Sequence, residues 1–103
     1  MEEQICKLTL VYPPSIEELI IELLLNADPP LKGFTTWGGD GHGLDFSDAT
    51  VAESVRGRVR RNVMVLVIVR SRLPSLLETI RVNVGVPHLA YWVESVEHFG
   101  RLS

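Results

Sequence analysis

The chain has 103 residues, of which 46% are hydrophobic and 22% charged, a balance that is typical of one folded domain and argues against disorder. Its net charge of -3 at pH 7 argues against a general attraction to nucleic acid or to anionic membranes. Cys6 is the only cysteine, so no internal disulfide can form, and no apolar run reaches the length of a membrane span. The opening residues MEEQICK are acidic where a signal peptide would be basic, which predicts a cytoplasmic protein without membrane insertion.

The first predicted strand is ICKLTLVY, residues 5–12, and Pro13 and Pro14 end it because proline cannot donate to a β-ladder. A helix is predicted in SIEELIIELLLNA, residues 15–27. Ser15 with Glu18 three residues later predicts a capping box at its start. The predicted apolar stripe of this helix consists of Ile16, Leu19, Ile20, Leu23 and Leu24, while Ile21 and Leu25 fall outside it.

A short strand, KGFTTW, then runs into the glycine-rich stretch GGDGHG. Polar, irregular sequence continues to about Ser54, and loops of that length are usually functional or mobile. We therefore predict one domain over residues 1–103 with a long mobile loop at about 39–57. A purely structural interpretation of the glycines is a twisted hairpin exit that needs positive φ angles.

The longest predicted strand, VRGRVRRNVMVLVIV, covers residues 55–69 and is apolar on both faces in its second half. Valines at every second position, 63 to 69, point one way, while Met64, Leu66 and Ile68 point the other. A second helix is predicted over residues 73–85, with Gly85 at its C-terminal end, and a last strand over residues 89–99. The inner residues of that helix are predicted to be Leu73, Leu76, Leu77, Ile80 and Val84.

The predicted order is βαββαβ, which indicates an α+β, ferredoxin-like sandwich with two helices on one face of an antiparallel four-stranded sheet. Two helices cover only one face of such a sheet, yet the third strand is apolar on both. Soluble monomers rarely expose an apolar patch of that size. The pattern therefore predicts that the chain associates through the face without helices.

Residues that bear chemistry form no catalytic constellation, so no enzymatic activity is predicted. No Gly-Lys-Ser or Gly-Lys-Thr follows the glycines, which excludes a P-loop, and the three histidines lack the spacing of a metal motif. The arginines near the start of the third strand could bind a phosphate or carboxylate, or could pair with nearby acidic residues. They are Arg56, Arg58, Arg60 and Arg61.

Two motifs carry a family resemblance. FTTWGGDGHG resembles the segment by which PII-like signalling proteins leave their second strand for a long T-loop, with Thr35, Gly41 and Gly43 at matching positions. SVEHFGRLS resembles their C-terminal pattern, with Val96, Glu97 and Arg101 matching. The chain is thus similar over nearly its full length to the PII-like signalling proteins. Because VPHLAYW after Gly85 lacks the phosphate-binding Gly-Asp-Gly-Lys turn, the resemblance is to a divergent branch, and neither ATP nor ADP is expected to bind.

The resemblance implies a ferredoxin-like fold, a homotrimer and a ligand site in the cleft between subunits. The implied ligand residues are Gly41, His42, Gly43, Arg61 and Arg101. It further implies a regulatory role, in which the loop at 39–57 signals to a partner protein such as a transporter or a metal-efflux system. The cofactor stays unknown, and nucleic acid is not expected as a partner.

Two alternatives stay open at this point. The first is a divalent-metal-binding tolerance protein similar to the trimeric CutA type, which would use Asp40, His42 and His98 as ligands. The second is a small acylphosphatase-like hydrolase on the same fold. It ranks last because the GxVQGVxFR loop of that family is absent.

Overall fold

The computed structural model describes residues 3–42, 58–85 and 88–103. The elements are the strands β1 (Ile5–Tyr12), β2 (Thr35–His42), β3 (Arg58–Val69) and β4 (Ala90–Val96), and the helices α1 (Glu17–Leu25) and α2 (Leu73–Val84). A short 3-10 turn precedes each helix, at Pro14–Ile16 and at Arg70–Arg72. The part of the predicted loop that follows residue 42 lies outside the described residues.

The sheet has the strand order β2-β3-β1-β4, and each neighbouring pair is antiparallel. With one helix between β1 and β2 and the other between β3 and β4, this is the ferredoxin-like βαββαβ topology, so the predicted fold class is confirmed. The two long strands β1 and β3 occupy the centre, which places their apolar side chains in the core.

The core lies between the helices and one face of the sheet. Cys6, Leu8 and Leu10 of β1 are opposite Ile68, Leu66 and Met64 of β3, as the period-two alternation predicts. From the helices, Ile20, Leu24, Leu76 and Ile80 are buried against them. The predicted inner face of α2 is confirmed, because its remaining members also pack on this cluster. Gly85 ends α2 with a φ of 63°, the left-handed conformation expected of a C-terminal glycine.

Two details of the α1 prediction are wrong. The helix begins at Glu17, with Ile16 at the N-cap position and no side-chain cap hydrogen bond, so there is no Ser15–Glu18 capping box. Ser15 instead lies within the preceding 3-10 turn, where the proline pair fixes the direction of the chain. The apolar stripe is also rotated: Leu19 is exposed, whereas Ile21 packs on the core.

The second strand is longer than predicted. β2 runs from Thr35 to His42, so the glycine-rich stretch up to His42 is paired strand rather than loop. The start of the predicted loop at about residue 39 is therefore wrong. Glycine, aspartate and histidine have poor intrinsic strand propensity, but the long β3 offers a template that overrides it.

The face of the sheet without helices is called the open face here. Its central rows read, from β2 to β4, Trp37–Val63–Val11–Ala90 and Thr35–Val65–Thr9–Trp92. Trp37 and Trp92 are each about half exposed, whereas Thr9 between Val65 and Trp92 is only 3% exposed. The Thr9 hydroxyl has no hydrogen-bond partner within the described part of the chain. An apolar surface across four strands is thus present in the single chain, as predicted.

Neither described helix is long and apolar enough to cross a lipid bilayer.

Candidate functional site

The candidate site is the two-stranded extension of the sheet that leads into the segment after His42. β1 ends at Tyr12, whose cross-strand partner on β3 is Asn62. Beyond this row β3 continues for four residues that pair only with β2, ending at the row His42–Arg58. These residues, 39–42 and 58–61, are called the β2–β3 arm. Successive side chains of the arm point to opposite faces. The helix side of the arm continues the face of the sheet that the helices cover, and the open side continues the open face.

Charged residues cluster on the helix side of the arm. Asp40 lies between two arginines, with its carboxylate oxygens 3.7 Å from Arg58 Nη1 and 3.8 Å from Arg60 Nη1. Both separations exceed hydrogen-bond length, so these are loose ion pairs. Two guanidinium groups and one carboxylate thus lie together on this side of the arm. His42 shares this side of β2, two residues beyond Asp40.

The open side of the arm is built differently. Gly39 and Gly41 of β2 face Arg61 and Val59 of β3, so one strand contributes no side chains. Arg61 is 5% exposed and donates from Nη1 to the backbone oxygen of Arg60 at 3.0 Å. Arg61 is therefore a buried member of the arm rather than a surface cation.

The predicted ligand residues are only partly brought together in one chain. Gly41 and Arg61 share the open side in adjacent rows, whereas His42 lies on the helix side. Arg101 is exposed in the segment after β4, at the other edge of the sheet. Gly43 lies outside the described residues.

The predicted metal ligands are also separated within one chain. Asp40 and His42 are neighbours on the helix side of β2, but Asp40 is engaged with the two arginines. His98 lines a cavity with Glu3, Arg70 and Ser95 at the opposite end of the sheet. β3 spans the two ends with 12 residues, about 35 Å of extended strand. Within the described ranges no three histidine, cysteine or acidic side chains are grouped for a metal ion.

The glycines follow the purely structural interpretation only in part. Gly33, just before β2, has a positive φ of 78°, whereas Gly38, Gly39 and Gly41 lie in ordinary extended backbone. At Gly38 an added Cβ would lie 3.2 Å from Arg60 Nη2, which shows that the guanidinium lies over this residue. The lack of a side chain at Gly38 therefore leaves room for the Arg60 guanidinium, and Gly38 does not form a turn.

Sequence reasoning missed a polar contact at the root of the arm, the row Tyr12–Asn62–Gly38 from which the arm extends. Glu17 Oε1 accepts hydrogen bonds from the Tyr12 hydroxyl at 2.8 Å and from Asn62 Nδ2 at 3.0 Å. Tyr12 is fully buried, and its burial, together with the hydrogen bond to Glu17, raises the pKa of the phenol far above its usual value. Since Glu17 and Asn62 are 45 residues apart, no local pattern could have revealed this pair.

Comparison with solved structures supports the fold. A DUF3240 family protein from Shewanella baltica OS155 superposes with a TM-score of 0.78 at 17% identity, with both chains fully covered. PII from Arabidopsis thaliana, bound to citrate, has a TM-score of 0.69 at 16% identity over 92% of this chain and 79% of that one. The Bacillus subtilis GlnK–ATP complex has a TM-score of 0.68 at 18% identity over 93% of this chain and 84% of that one.

The resemblance to PII-like proteins is thereby confirmed at the level of the fold. No curated protein matches the sequence. One family model, that of a protein of unknown function, DUF3240, matches residues 1–103. The chain therefore belongs to the DUF3240 family, a divergent family with the PII-like fold.

Proposed function

We propose that this chain is a regulatory protein of PII-like type, not an enzyme. It assembles as a homotrimer through the open face and binds a small anionic ligand at the β2–β3 arm, next to a neighbouring subunit. The binding event is passed to a partner protein, such as a transporter or a metal-efflux system, through the segment that follows His42. The protein acts in the cytoplasm.

The observation that carries the ligand part is the charge on the arm. Arg58 and Arg60 project from the same side of β3, and each places a guanidinium nitrogen near the carboxylate of Asp40, at 3.7 and 3.8 Å. Guanidinium groups held side by side are suited to carboxylate and phosphate oxygens. Two PII-fold proteins of known structure hold anions, citrate in one and ATP in the other. Because the sequence lacks the phosphate-binding turn after Gly85, we favour a small carboxylate or inorganic anion over ATP.

The open face supports the trimer. It presents two half-exposed tryptophans and a row of valines from β3, and both described helices lie on the other face. Lys7 is a cation on this face, between Val67 and Glu94, and its Nζ lies 3.6 Å from the Glu94 carboxylate. An ion pair among apolar rows is compatible with burial against a second copy, whereas burying an unpaired charge would cost several kcal/mol of desolvation free energy.

A thermal-shift screen followed by calorimetry tests the ligand. The panel is citrate, bicarbonate, phosphate, ATP and divalent metal ions, each at a concentration near one hundred times the expected Kd, where stabilisation should be about 2.7 kcal/mol. Arg58→Ala, Arg60→Ala and Arg101→Ala should each weaken the anion that binds. Arg81→Ala is the matched control, because Arg81 is an exposed arginine of α2 paired with Glu78.

An anion that stabilises all four variants equally would contradict the assignment to the arm. Stabilisation by a divalent metal alone, lost in His42→Ala and His98→Ala, would instead favour the CutA-like alternative. Because His42 and His98 are at opposite ends of one sheet, that metal site would require two chains.

A further inference from the structure

The root of the arm is held by one carboxylate from the helix layer. The last row that includes β1 is Tyr12–Asn62–Gly38, read from β1 to β2 on the helix side. Past this row, in the part of the chain that the structure describes, β3 pairs only with β2. A contact between the helix layer and this row can therefore influence the position of the arm.

Glu17, the first residue of α1, supplies such a contact. Its Oε1 atom accepts one hydrogen bond from Tyr12 of β1 and a second from Asn62 of β3. The Asn62 amide also lies beside Gly38, since a Cβ added there would be 3.6 Å from Asn62 Oδ1. A single carboxylate oxygen thus joins the start of α1, the end of β1 and the base of the arm.

We propose that Glu17 is a positioning residue that fixes the β2–β3 arm against the helix layer. The Tyr12 bond holds the carboxylate in place, and the Asn62 bond transmits that position to the arm. The consequence for signalling rests on the proposed function, since a fixed arm would couple ligand capture on the arm to the segment that follows it. The positioning itself does not depend on any ligand.

Hydrogen exchange of the ligand-free protein tests the positioning. In Glu17→Ala the amides of residues 36–42 and 58–62 should exchange about tenfold faster, the effect of losing one hydrogen bond to a charged group. Glu18→Ala is the matched control, because Glu18 is the adjacent, exposed glutamate. Glu17→Gln keeps an oxygen that both donors can reach and should restore most of the protection.

Asn62→Ala and Tyr12→Phe separate the two bonds. Asn62→Ala should speed amide exchange in the arm as Glu17→Ala does. Tyr12→Phe should lower the global free energy of unfolding, and its additional effect on exchange in the arm should be smaller than that of Asn62→Ala. The proposal is overturned if arm exchange in Glu17→Ala equals that of the wild type, or if protection falls equally in β1 and β4. Should Glu17→Ala fail to fold, Asn62→Ala gives the same decision. If Glu17→Ala loses arm protection but binds the anion with unchanged affinity, the positioning role stands and its coupling to ligand binding in the proposed function does not.

Discussion

A charge placed on the open face should dissociate the protein without unfolding it. Val65→Glu is the sharpest choice, because Val65 is central on this face and its cross-strand neighbours are Thr35 and Thr9. Neither neighbour carries a positive charge. In contrast, Val67 is opposite Lys7, whose ammonium could pair with a glutamate and mask the effect.

The size of the effect follows from burial. In the single chain Val65 is only half-buried, so a glutamate there can reach water and the monomer should stay folded. In a trimer three such carboxylates would be desolvated on facing sheets, each at a cost of several kcal/mol without a partner. Since each 1.4 kcal/mol is a factor of ten in an equilibrium constant, association should weaken by at least about three orders of magnitude.

Light scattering at micromolar concentration, with circular dichroism as the check on folding, measures both consequences. The wild type should have the mass of a trimer and Val65→Glu that of a folded monomer. Val82→Glu is the control, because Val82 is 64% exposed on α2, away from the open face. Leu66→Glu, one residue along β3, should unfold the chain, since Leu66 points into the core. A monomeric wild type, or a trimer that tolerates Val65→Glu, would refute the reasoning.

Three further predictions concern the single chain. Leu24→Ala should cost about 2–5 kcal/mol in urea unfolding because Leu24 is fully buried, whereas half-exposed Leu25→Ala should cost far less; equal losses would contradict the core assignment. Gly39→Ala should be neutral or stabilising by up to about 1 kcal/mol, because φ is not positive and no atom lies within 4 Å of the new Cβ, while Gly33→Ala at a φ of 78° should destabilise. The raised pKa of Tyr12 means that the folded state holds the phenol proton more tightly, so this stabilisation is present below pH about 10 and is lost as the pH rises further. In a Tyr91→Phe variant, where Tyr12 is the sole tyrosine, phenolate absorbance at 295 nm should appear only with unfolding, and its appearance in a folded protein would contradict the burial.

The parts of the fold that were predictable are those in which local pattern and tertiary environment agree. β1 was bounded correctly because alternation ends at a proline pair, and the end of α2 because Gly85 adopts the left-handed conformation. The end of β2 was not predictable, since its residues form a strand only because β3 is long enough to pair with them. The alternation of side chains along a strand predicts that Arg58 and Arg60 lie on one face of β3 and Arg61 on the other. It does not predict that Arg58 and Arg60 both approach Asp40.

In the proposed function, the candidate site links assembly to ligand binding. Gly41 and His42 lie on the edge strand β2, whereas Arg101 follows the opposite edge strand β4, after a segment that begins at the far end of the sheet. The two edge strands are at opposite sides of one sheet, and we therefore expect a site that uses all of these residues to form between copies. The folded Val65→Glu monomer should consequently lose the contribution of Arg101, and Arg101→Ala should weaken anion binding in the wild type but have no further effect in that monomer. If the monomer binds the anion as tightly as the trimer, the arm alone is sufficient, and Arg101 does not belong to the site.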